Sequence, residues 1–297
     1  MKTTNDEQIY LVTGATGNVG REVVAQLLAD GHKVRVFTRD PNKVAHWGDR
    51  VETAVGDFLQ PESFADAARG AVAIFLMHQS ADQEAFARLI DAVKSSGTPR
   101  IVFLSSLAAE QPQLQIGRMH IDKEQTIRDS GLPWTFVRPG GFMSNSYQWI
   151  RSIVAEGVVY NALGDTRFPP IAPEDIAAVA AKALLDPSLS GSVFDLTGGE
   201  LLNVPEQVAI LSKILDRPLR LVDVPVETAV QNFIAAGIPA PIAAAVGESY
   251  QSVRNSRLVA MKDGVERVTG RKPMTFEAWA RKHASRFAAT AATQPAA

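Results

Sequence analysis

Short apolar runs alternate with segments of helical period through the first 199 residues of the chain. The apolar runs occupy residues 9–13, 33–38, 51–58, 71–77, 100–106 and 134–139. A run such as 71–77, which is apolar from end to end, is typical of a parallel strand that helices cover on both faces. The alternation predicts an α/β fold with a doubly wound parallel sheet.

The alternation of apolar runs and helical segments stops after the sixth run. Residues 142–171 contain aromatics, glycines and prolines without alternation, so we expect loops around a cleft. Residues 173–185 predict a helix that begins at Pro173. The first predicted domain covers residues 1–199, and its segment 142–171 forms part of the substrate cleft. A smaller, mostly helical C-terminal domain is predicted at 200–287, with a strand at 217–224. Residues 288–297 are predicted to be a disordered tail.

Composition excludes several classes of protein. Of the 297 residues, 46% are apolar and 21% are charged, with a net charge of −2, so no nucleic-acid or anionic-membrane partner is indicated. The chain has no cysteine, which excludes disulfides, thiol catalysis and cysteine-ligated metals, and we expect no metal ion. Residues 1–8 are polar and no apolar run is long enough to span a membrane, which predicts a cytoplasmic protein.

A glycine-rich loop joins the first apolar run to the first helical segment. It carries Gly14, Thr16, Gly17, Asn18, Val19 and Gly20. A helix N-terminus has unpaired N–H groups and a partial positive charge, and therefore attracts a phosphate. Gly14 permits the tight turn, Gly17 lets the diphosphate approach the backbone, and Gly20 lets the helix pack on the strand. The pattern predicts a nucleotide-binding βαβ unit, although an ordinary turn has the same glycine content.

The end of the second strand indicates which nucleotide is bound. A site that prefers NAD usually places an acid here, on the ribose 2′-OH. This chain has Thr38 followed by Arg39, with Lys43 one turn later, and a guanidinium suits a 2′-phosphate. We therefore expect NADP(H) rather than NAD(H), although a solvated charge cluster would look the same. Asp57, beside Phe58, is predicted either to bind the adenine amino group or to cap the next turn.

A family resemblance emerges from these residues taken together. The chain resembles the NmrA-like group of atypical short-chain dehydrogenases in residues 13–20, Arg39, Gly56–Asp57, 130–135, 138–145, 173–177, 268–273, Phe276 and Trp279. The resemblance implies a Rossmann-type domain that binds NADPH, and a small C-terminal substrate domain. It further implies cofactor contacts at strand ends and at the loop after the sixth run: His78, Ser105, Lys123, Pro139, Gly141 and Phe142.

The catalytic residues depart from the short-chain dehydrogenase pattern. These enzymes generally use a tyrosine four residues before a lysine, with a serine at a neighbouring strand end. Ser105 and Lys123 fit, but Met119 stands where the tyrosine is expected. His120, Lys123 and Glu124 share a helix face, so His120, paired with Glu124, or Lys123 is a candidate proton donor. A solvated helix stripe is the alternative, and His78 and Tyr147 are further candidate donors.

Three functions fit this sequence. The preferred one is an NADPH-dependent reductase acting on a small apolar or aromatic electrophile such as a quinone or enone, for which water can supply the proton. The alternatives are an NADP(H)-sensing regulatory protein without turnover and a non-redox epimerase or dehydratase. Phe142, Tyr147 and Trp149 are the candidate substrate residues, although such aromatics are as often core. We expect a monomer or homodimer.

Overall fold

A seven-stranded parallel sheet forms the centre of the computed structural model, which describes residues 8–97, 99–256 and 259–288. The strands lie in the order β3-β2-β1-β4-β5-β6-β8. They are β1 (Ile9–Thr13), β2 (Lys33–Thr38), β3 (Val51–Val55), β4 (Ala71–Leu76), β5 (Arg100–Leu104), β6 (Trp134–Pro139) and β8 (Val193–Leu196). The predicted α/β doubly wound parallel sheet is confirmed.

The strand order reverses at β1, which pairs with β2 on one side and with β4 on the other. The chain runs outward through β2 and β3 and then returns to the far side of β1. The connections on the two sides leave in opposite directions, so a crevice opens at the carboxyl ends of β1 and β4. This switch point is where the glycine loop lies.

Helices cover both faces of the sheet. On one face α1 (Gly20–Ala29) and α6 (Pro173–Leu185) pack on the strands, and on the other α2 (Pro61–Ala68), α3 (Gln83–Ser95) and α4 (Gln115–Asp129) do so. Val23 and Ile176 belong to the first core layer, and Phe64, Phe86 and Ile127 to the second. Because both faces are covered, the central strands are almost wholly apolar.

The remaining elements build a second, mostly helical part. They are α5 (Ile150–Glu156), β7 (Val158–Asn161), α7 (Val204–Ile214), β9 (Arg220–Asp223), α8 (Val226–Ala235), α9 (Ala240–Ser256), α10 (Gly264–Thr269), α11 (Phe276–Lys282) and α12 (Ala284–Ala288). Short 3-10 helices lie at Pro41–Arg50, Leu107–Glu110, Met143–Trp149 and Pro187–Leu189. Within the described ranges, no helix is long and apolar enough to cross a bilayer.

The segment 142–171 packs against the C-terminal helices. Strand β7 pairs in parallel with β9, and Met143 and Trp149 share a core with Leu211 of α7 and Trp279 of α11. The strand expected at 217–224 is present as β9. The domain boundary at 199/200 stays a prediction, and the predicted tail, apart from Ala288 at the end of α12, lies outside the described residues.

Helix α4 is capped by a residue of a distant helix. Its first N–H, on Gln115, donates to the Glu248 carboxylate of α9 at 2.7 Å. Leu114, at the N-cap position, provides no side-chain hydrogen bond of its own. The cap comes instead from a residue 133 positions away, so the sequence just before the helix carries no local capping signal.

The start of α6 anchors the C-terminal helices through two buried acids. Asp175, fully buried, accepts hydrogen bonds from the Met274 backbone N–H and from Arg271 Nη1, both at 2.7 Å. Glu174 Oε1 lies 2.6 Å from Lys282 Nζ and 2.9 Å from His283 Nε2. Burial alone would raise the pKa of Glu174, but these two contacts outweigh it and lower the pKa to about 2.

Replacing Glu174 by glutamine should therefore destabilise the protein in a pH-dependent way. The folded-state pKa lies below the ordinary value of 4.5, so the carboxylate stabilises the fold above about pH 4.5. That contribution is lost as the pH falls through about 2. We expect Glu174→Gln to lower the free energy of unfolding by about 1–3 kcal/mol at pH 7. Urea denaturation should show the difference from wild type shrinking steadily towards pH 2.

The matched control is Glu277→Gln. Glu277 forms an exposed pair with Arg281 on α11, with about half of each side chain accessible. Such pairs contribute roughly 0–1 kcal/mol. A loss in the control as large as in Glu174→Gln, or a loss in Glu174→Gln that persists at pH 2, would contradict the assignment.

Candidate cofactor and active site

The glycine loop forms a tight cradle at the carboxyl end of β1. Gly14 has a φ of +61°, which L side chains rarely adopt, and the Gly17 N–H donates to its carbonyl oxygen at 2.9 Å. A Cβ added to Gly20 would lie 2.2 Å from the same oxygen, so only glycine allows α1 to start this close to the strand. The loop has the compact geometry that the sequence predicted.

The cradle leaves the start of α1 open to a ligand. Val19, at the N-cap position, offers no side-chain hydrogen bond to the helix. Asn18 Oδ1 instead accepts from Arg21 Nη2 at 2.7 Å, and Thr16 is exposed. The Thr13 hydroxyl donates to the Phe75 carbonyl at 3.0 Å and accepts from the Met77 N–H at 2.8 Å, which fixes β1 against β4. The first N–H groups of α1 are thus held at the edge of the crevice.

A cavity of about 650 Å³ extends from the glycine loop along the ends of β2 and β3. Its lining residues are Gly14, Ala15, Thr16, Phe37, Thr38, Arg39, Asp40, Lys43, Gly56, Asp57, Phe58, Met77 and Gln79. Six of the predicted cofactor residues, Gly14, Thr16, Arg39, Lys43, Asp57 and Phe58, therefore line one space. Met77 and Gln79, at the end of β4, line it as well, and the sequence did not single out Met77.

The acidic side chains at this cavity have hydrogen-bond partners within the protein, whereas the basic ones have no carboxylate partner among the described residues. Asp40 Oδ1 caps the Asn42 N–H at 3.0 Å, and Asp57 Oδ1 caps the Leu59 N–H at 3.0 Å. The capping interpretation of Asp57 is thus confirmed. Arg39 and Lys43 are exposed and, within the described part of the chain, have no carboxylate within 4.0 Å. Their positive charges are free for an anion, which fits the 2′-phosphate of NADP(H).

Lys123 is buried at the end of β4. Only 1% of the residue is exposed, its Nζ donates to the His78 carbonyl at 2.9 Å, and it lies 5.7 Å from the Phe86 ring centre. Burial lowers the pKa of this ammonium to about 8. The group remains mostly protonated at neutral pH, with two N–H donors beyond the one that bonds His78.

Glu124, the next residue, lies at a junction of α4, β5 and β6. Its carboxylate is fully buried and accepts from Ser105 Oγ at 2.6 Å and from Arg138 Nε at 2.7 Å. Arg138 Nη2 and Arg128 Nη2 reach its second oxygen at 2.5 and 3.2 Å. The predicted pairing of His120 with Glu124 is wrong, because these four contacts saturate the carboxylate. The solvated-stripe alternative is also wrong for Lys123 and Glu124.

Two histidines lie on either side of Lys123. His78 is buried between Phe58 and Phe86, with ring centres 5.3 and 5.0 Å away, and His120 is half-buried beside Phe103. Burial, with the neighbouring Lys123 charge, lowers the pKa of each to about 4. Both imidazoles are therefore neutral at pH 7.

The loop after β6 closes the crevice at its far end. The Gly140 N–H donates to the Leu196 carbonyl at 2.8 Å. The Met143 N–H donates to the Ile171 carbonyl at 2.8 Å, and the Ile171 N–H donates to the Gly141 carbonyl at 2.9 Å. Pro139 is buried, Gly141 is exposed, and Phe142 is half-buried. The loop is thus held rigidly beside the end of β5.

Of the predicted substrate residues, Trp149 is a core residue and Tyr147 packs against the same core. Trp149 is 8% exposed and packs in the core between α7 and α11. Tyr147 packs on Trp279 and Phe287, with ring centres 5.3 and 5.7 Å away, beneath the Arg286 guanidinium. Core packing accounts for Trp149, whereas the substrate role of Tyr147 stays a prediction.

A second cavity, of about 310 Å³, lies beside Met119. It is lined by Ala81, Gln83, Gln113, Gln115, Arg118, Met119, Asp122 and Glu248, from the starts of α3 and α4 and from α9. The lining is more polar than the apolar pocket expected from the aromatic residues. Sequence reasoning missed Gln83 and Glu248, and no local pattern distinguishes them from surface residues.

Comparison with known proteins identifies the relatives of this chain. A family model described as NAD(P)H-binding matches residues 14–187. A (4-alkanoyl-5-oxo-2,5-dihydrofuran-3-yl)methyl phosphate reductase of Streptomyces griseus is 37% identical, over 94% of this chain and 99% of that protein. An NAD(P)H azoreductase of Xenophilus azovorans is 34% identical, over 95% and 100%.

A solved structure shares the fold. The NADPH-dependent quinone oxidoreductase of Escherichia coli, complexed with NADPH, matches with a TM-score of 0.80 at 21% identity, over 94% of this chain and 100% of that one. The glycine cradle and the open N-terminus of α1 are consistent with the dinucleotide these proteins bind. The chain belongs to the NAD(P)H-binding family of NmrA-like, atypical short-chain dehydrogenases, and is an NAD(P)H-dependent oxidoreductase.

Proposed function

We propose that the protein is an NADPH-dependent reductase that delivers hydride to a small, conjugated, electron-poor acceptor such as an enone or a quinone. One observation carries this proposal: among the described residues of the site, the tyrosine hydroxyl that serves short-chain dehydrogenases as the acid is missing. Met119 stands in place of the tyrosine, and the Ser105 proton is donated to Glu124. A simple ketone needs a proton at its oxygen as hydride arrives, whereas a conjugated acceptor spreads the charge and can be protonated later.

The relatives support this choice of acceptor. The Streptomyces relative is named for a substrate whose ring C=C is conjugated with carbonyl groups, and the Xenophilus relative is named for azo compounds. Both names describe conjugated acceptors. They favour a reductase over the sensing protein and over the non-redox enzyme considered from the sequence.

The residues of the chain have distinct roles in this proposal. NADPH, when bound, supplies the hydride from its nicotinamide ring. The glycine loop holds the diphosphate, and Arg39 and Lys43 hold the 2′-phosphate. Residues 139–142 and Lys123 orient the nicotinamide end, and the cavity beside Met119 receives the acceptor. Orientation at close contact provides most of the rate enhancement.

Lys123 is the proposed proton donor among the four candidates, of which Tyr147 packs on Trp279 and Phe287. The pKa values of His78 and His120, about 4, leave only a small fraction protonated at pH 7. The pKa of Lys123, about 8, keeps its ammonium mostly charged there and makes it a suitable acid. The hydride adds to the β-carbon of the enone, the resulting enolate takes a proton from Lys123, and water then reprotonates the amine.

A panel of acceptors tests the proposed function. NADPH oxidation should be rapid with cyclic enones and quinones and at background level with matched saturated ketones. With cofactor deuterated at the transferred position, deuterium should appear at the β-carbon of the enone product. Gly17→Val is the control, because its side chain would occupy the approach of the diphosphate. Equal activity on saturated ketones, or activity that survives in Gly17→Val, would overturn the proposal.

Arg39→Ala should change the choice between the two cofactors. The guanidinium lies in the cavity, no carboxylate of the described residues pairs with it, and a charged hydrogen bond contributes about 1.5–3 kcal/mol. We expect the NADPH KM to rise roughly 10–100-fold, with little change in the NADH KM. Lys33→Ala, at the opposite end of the same strand, is the control and should leave both unchanged. An equal rise for both cofactors would contradict a 2′-phosphate contact.

The pH profile tests Lys123 as the acid. Because the protonated form is active and its pKa is about 8, enone reduction should fall above pH 8, approaching tenfold per pH unit. Initial rates at saturating NADPH between pH 6 and 10 measure this decline. Lys123→Met should be slower and lack it. The same decline in Lys123→Met, or a flat wild-type profile to pH 10, would assign the proton to another source.

A further inference from the structure

Glu124 has an environment that its neighbours on α4 do not share. The carboxylate is fully buried and is met by the hydroxyl of Ser105 and by two guanidinium groups, from Arg138 and Arg128. Ser105 follows β5, Arg138 lies within β6, and Arg128 lies one turn further along α4. A single carboxylate thus joins the helix to the ends of two strands.

Stability alone does not explain such an arrangement. Removing a carboxylate and two guanidiniums from water is costly, and well-packed apolar residues often stabilise a protein as much as a buried ion pair does. The charged groups instead fix the orientation of the Glu124 carboxylate. Arg138 binds both carboxylate oxygens with parallel N–H donors, which defines the orientation of the carboxylate as well as its distance.

The orientation of the Glu124 side chain also affects Lys123, the residue before it on α4. Successive side chains on a helix differ by about 100° around its axis, so the orientation of Glu124 also determines that of Lys123. With Glu124 turned to β5 and β6, the Lys123 Nζ reaches the His78 carbonyl at the end of β4, 2.9 Å away. A rotation of α4 about its axis would move Nζ away from this strand end.

We propose that Glu124 is a positioning residue that acts through Lys123. Its buried carboxylate prevents rotation of α4 and thereby holds the Lys123 ammonium at the strand end where the nicotinamide half of the cofactor binds. The proposal rests on the role assigned to Lys123 in the proposed function. Ser105 belongs to the same junction, with its proton directed to Glu124 rather than to a substrate oxygen.

Binding of two ligands to Glu124→Gln tests the proposal without any acceptor. The amide of glutamine presents N–H donors to Arg138, so the directed ion pair is lost. Calorimetry should show NADPH affinity falling about tenfold. Adenosine 2′,5′-bisphosphate, which lacks the nicotinamide half, should bind within twofold of wild type at the Arg39 end. Glu277→Gln, an exposed carboxylate on α11, should alter neither affinity. Equal weakening of both ligands would overturn the proposal.

A double variant separates positioning from an independent contribution. Lys123→Met should weaken NADPH binding alone, and Glu124→Gln should then weaken it no further in the Lys123→Met background. Additive losses, or an unchanged affinity in Lys123→Met, would overturn the proposal. Because no acceptor is present, these results stand apart from the acceptor panel that tests the proposed function.

Should Glu124→Gln not fold, Ser105→Ala provides the same comparison. This variant removes one of the four hydrogen bonds to the carboxylate and leaves the ion pair with Arg138 in place. We expect a loss of NADPH affinity of about threefold, with adenosine 2′,5′-bisphosphate unaffected. Equal losses for the two ligands would overturn the proposal here as well.

Discussion

The close approach of α1 to the end of β1 is the constraint on which the cofactor site depends. The Gly20 backbone lies so near the Gly14 carbonyl that a methyl group would not fit between them. The helix therefore begins directly over the strand, and its open N-terminus faces the crevice where the sheet reverses its order. The Thr13 hydroxyl extends this arrangement to β4, because its two hydrogen bonds join the end of β1 to the neighbouring strand end.

Buried charge is placed where the apolar layers end. The interior of the sheet is apolar on both faces, but at the crevice edge Glu124 pairs with Arg138, and Asp175 pairs with Arg271. Each acid joins segments distant in sequence, which nonspecific apolar packing would align less uniquely. At these two points the chain obtains a defined orientation from groups that contribute modest net stability.

Local patterns predicted the parts of the fold that local interactions determine. The glycine loop, the strands around it and α6, which runs from Pro173 to Leu185 as expected, each carry their own signals of period, turn and cap. The cavity with Arg39, Lys43 and Asp57 followed from strand order, because parallel strands end at one edge.

The features that the sequence did not predict depend on contacts between residues far apart in the chain. Spacing on α4 placed His120 beside Glu124, but the charges on β6 turned the carboxylate elsewhere. Trp149 is a residue type that often lines apolar pockets, yet helices that lie more than fifty residues further along the chain bury it. The cavity beside Met119 was missed for the same reason, since Glu248 gains its position only when α9 packs against α4. The sequence pattern of ten to twenty neighbouring residues cannot reveal any of these long-range contacts.

The cap on α4 also affects the order in which this protein can be built. Gln115 and Glu248 are 133 residues apart, so the helix that carries Lys123 lacks its cap until α9 has been synthesised and has docked. The NADPH cradle, by contrast, needs only the first strands and helices. During synthesis the two halves of the site are therefore completed at different times. The dinucleotide cradle can form early on the ribosome, while the cavity beside Met119 is completed last, by a contact of high sequence separation.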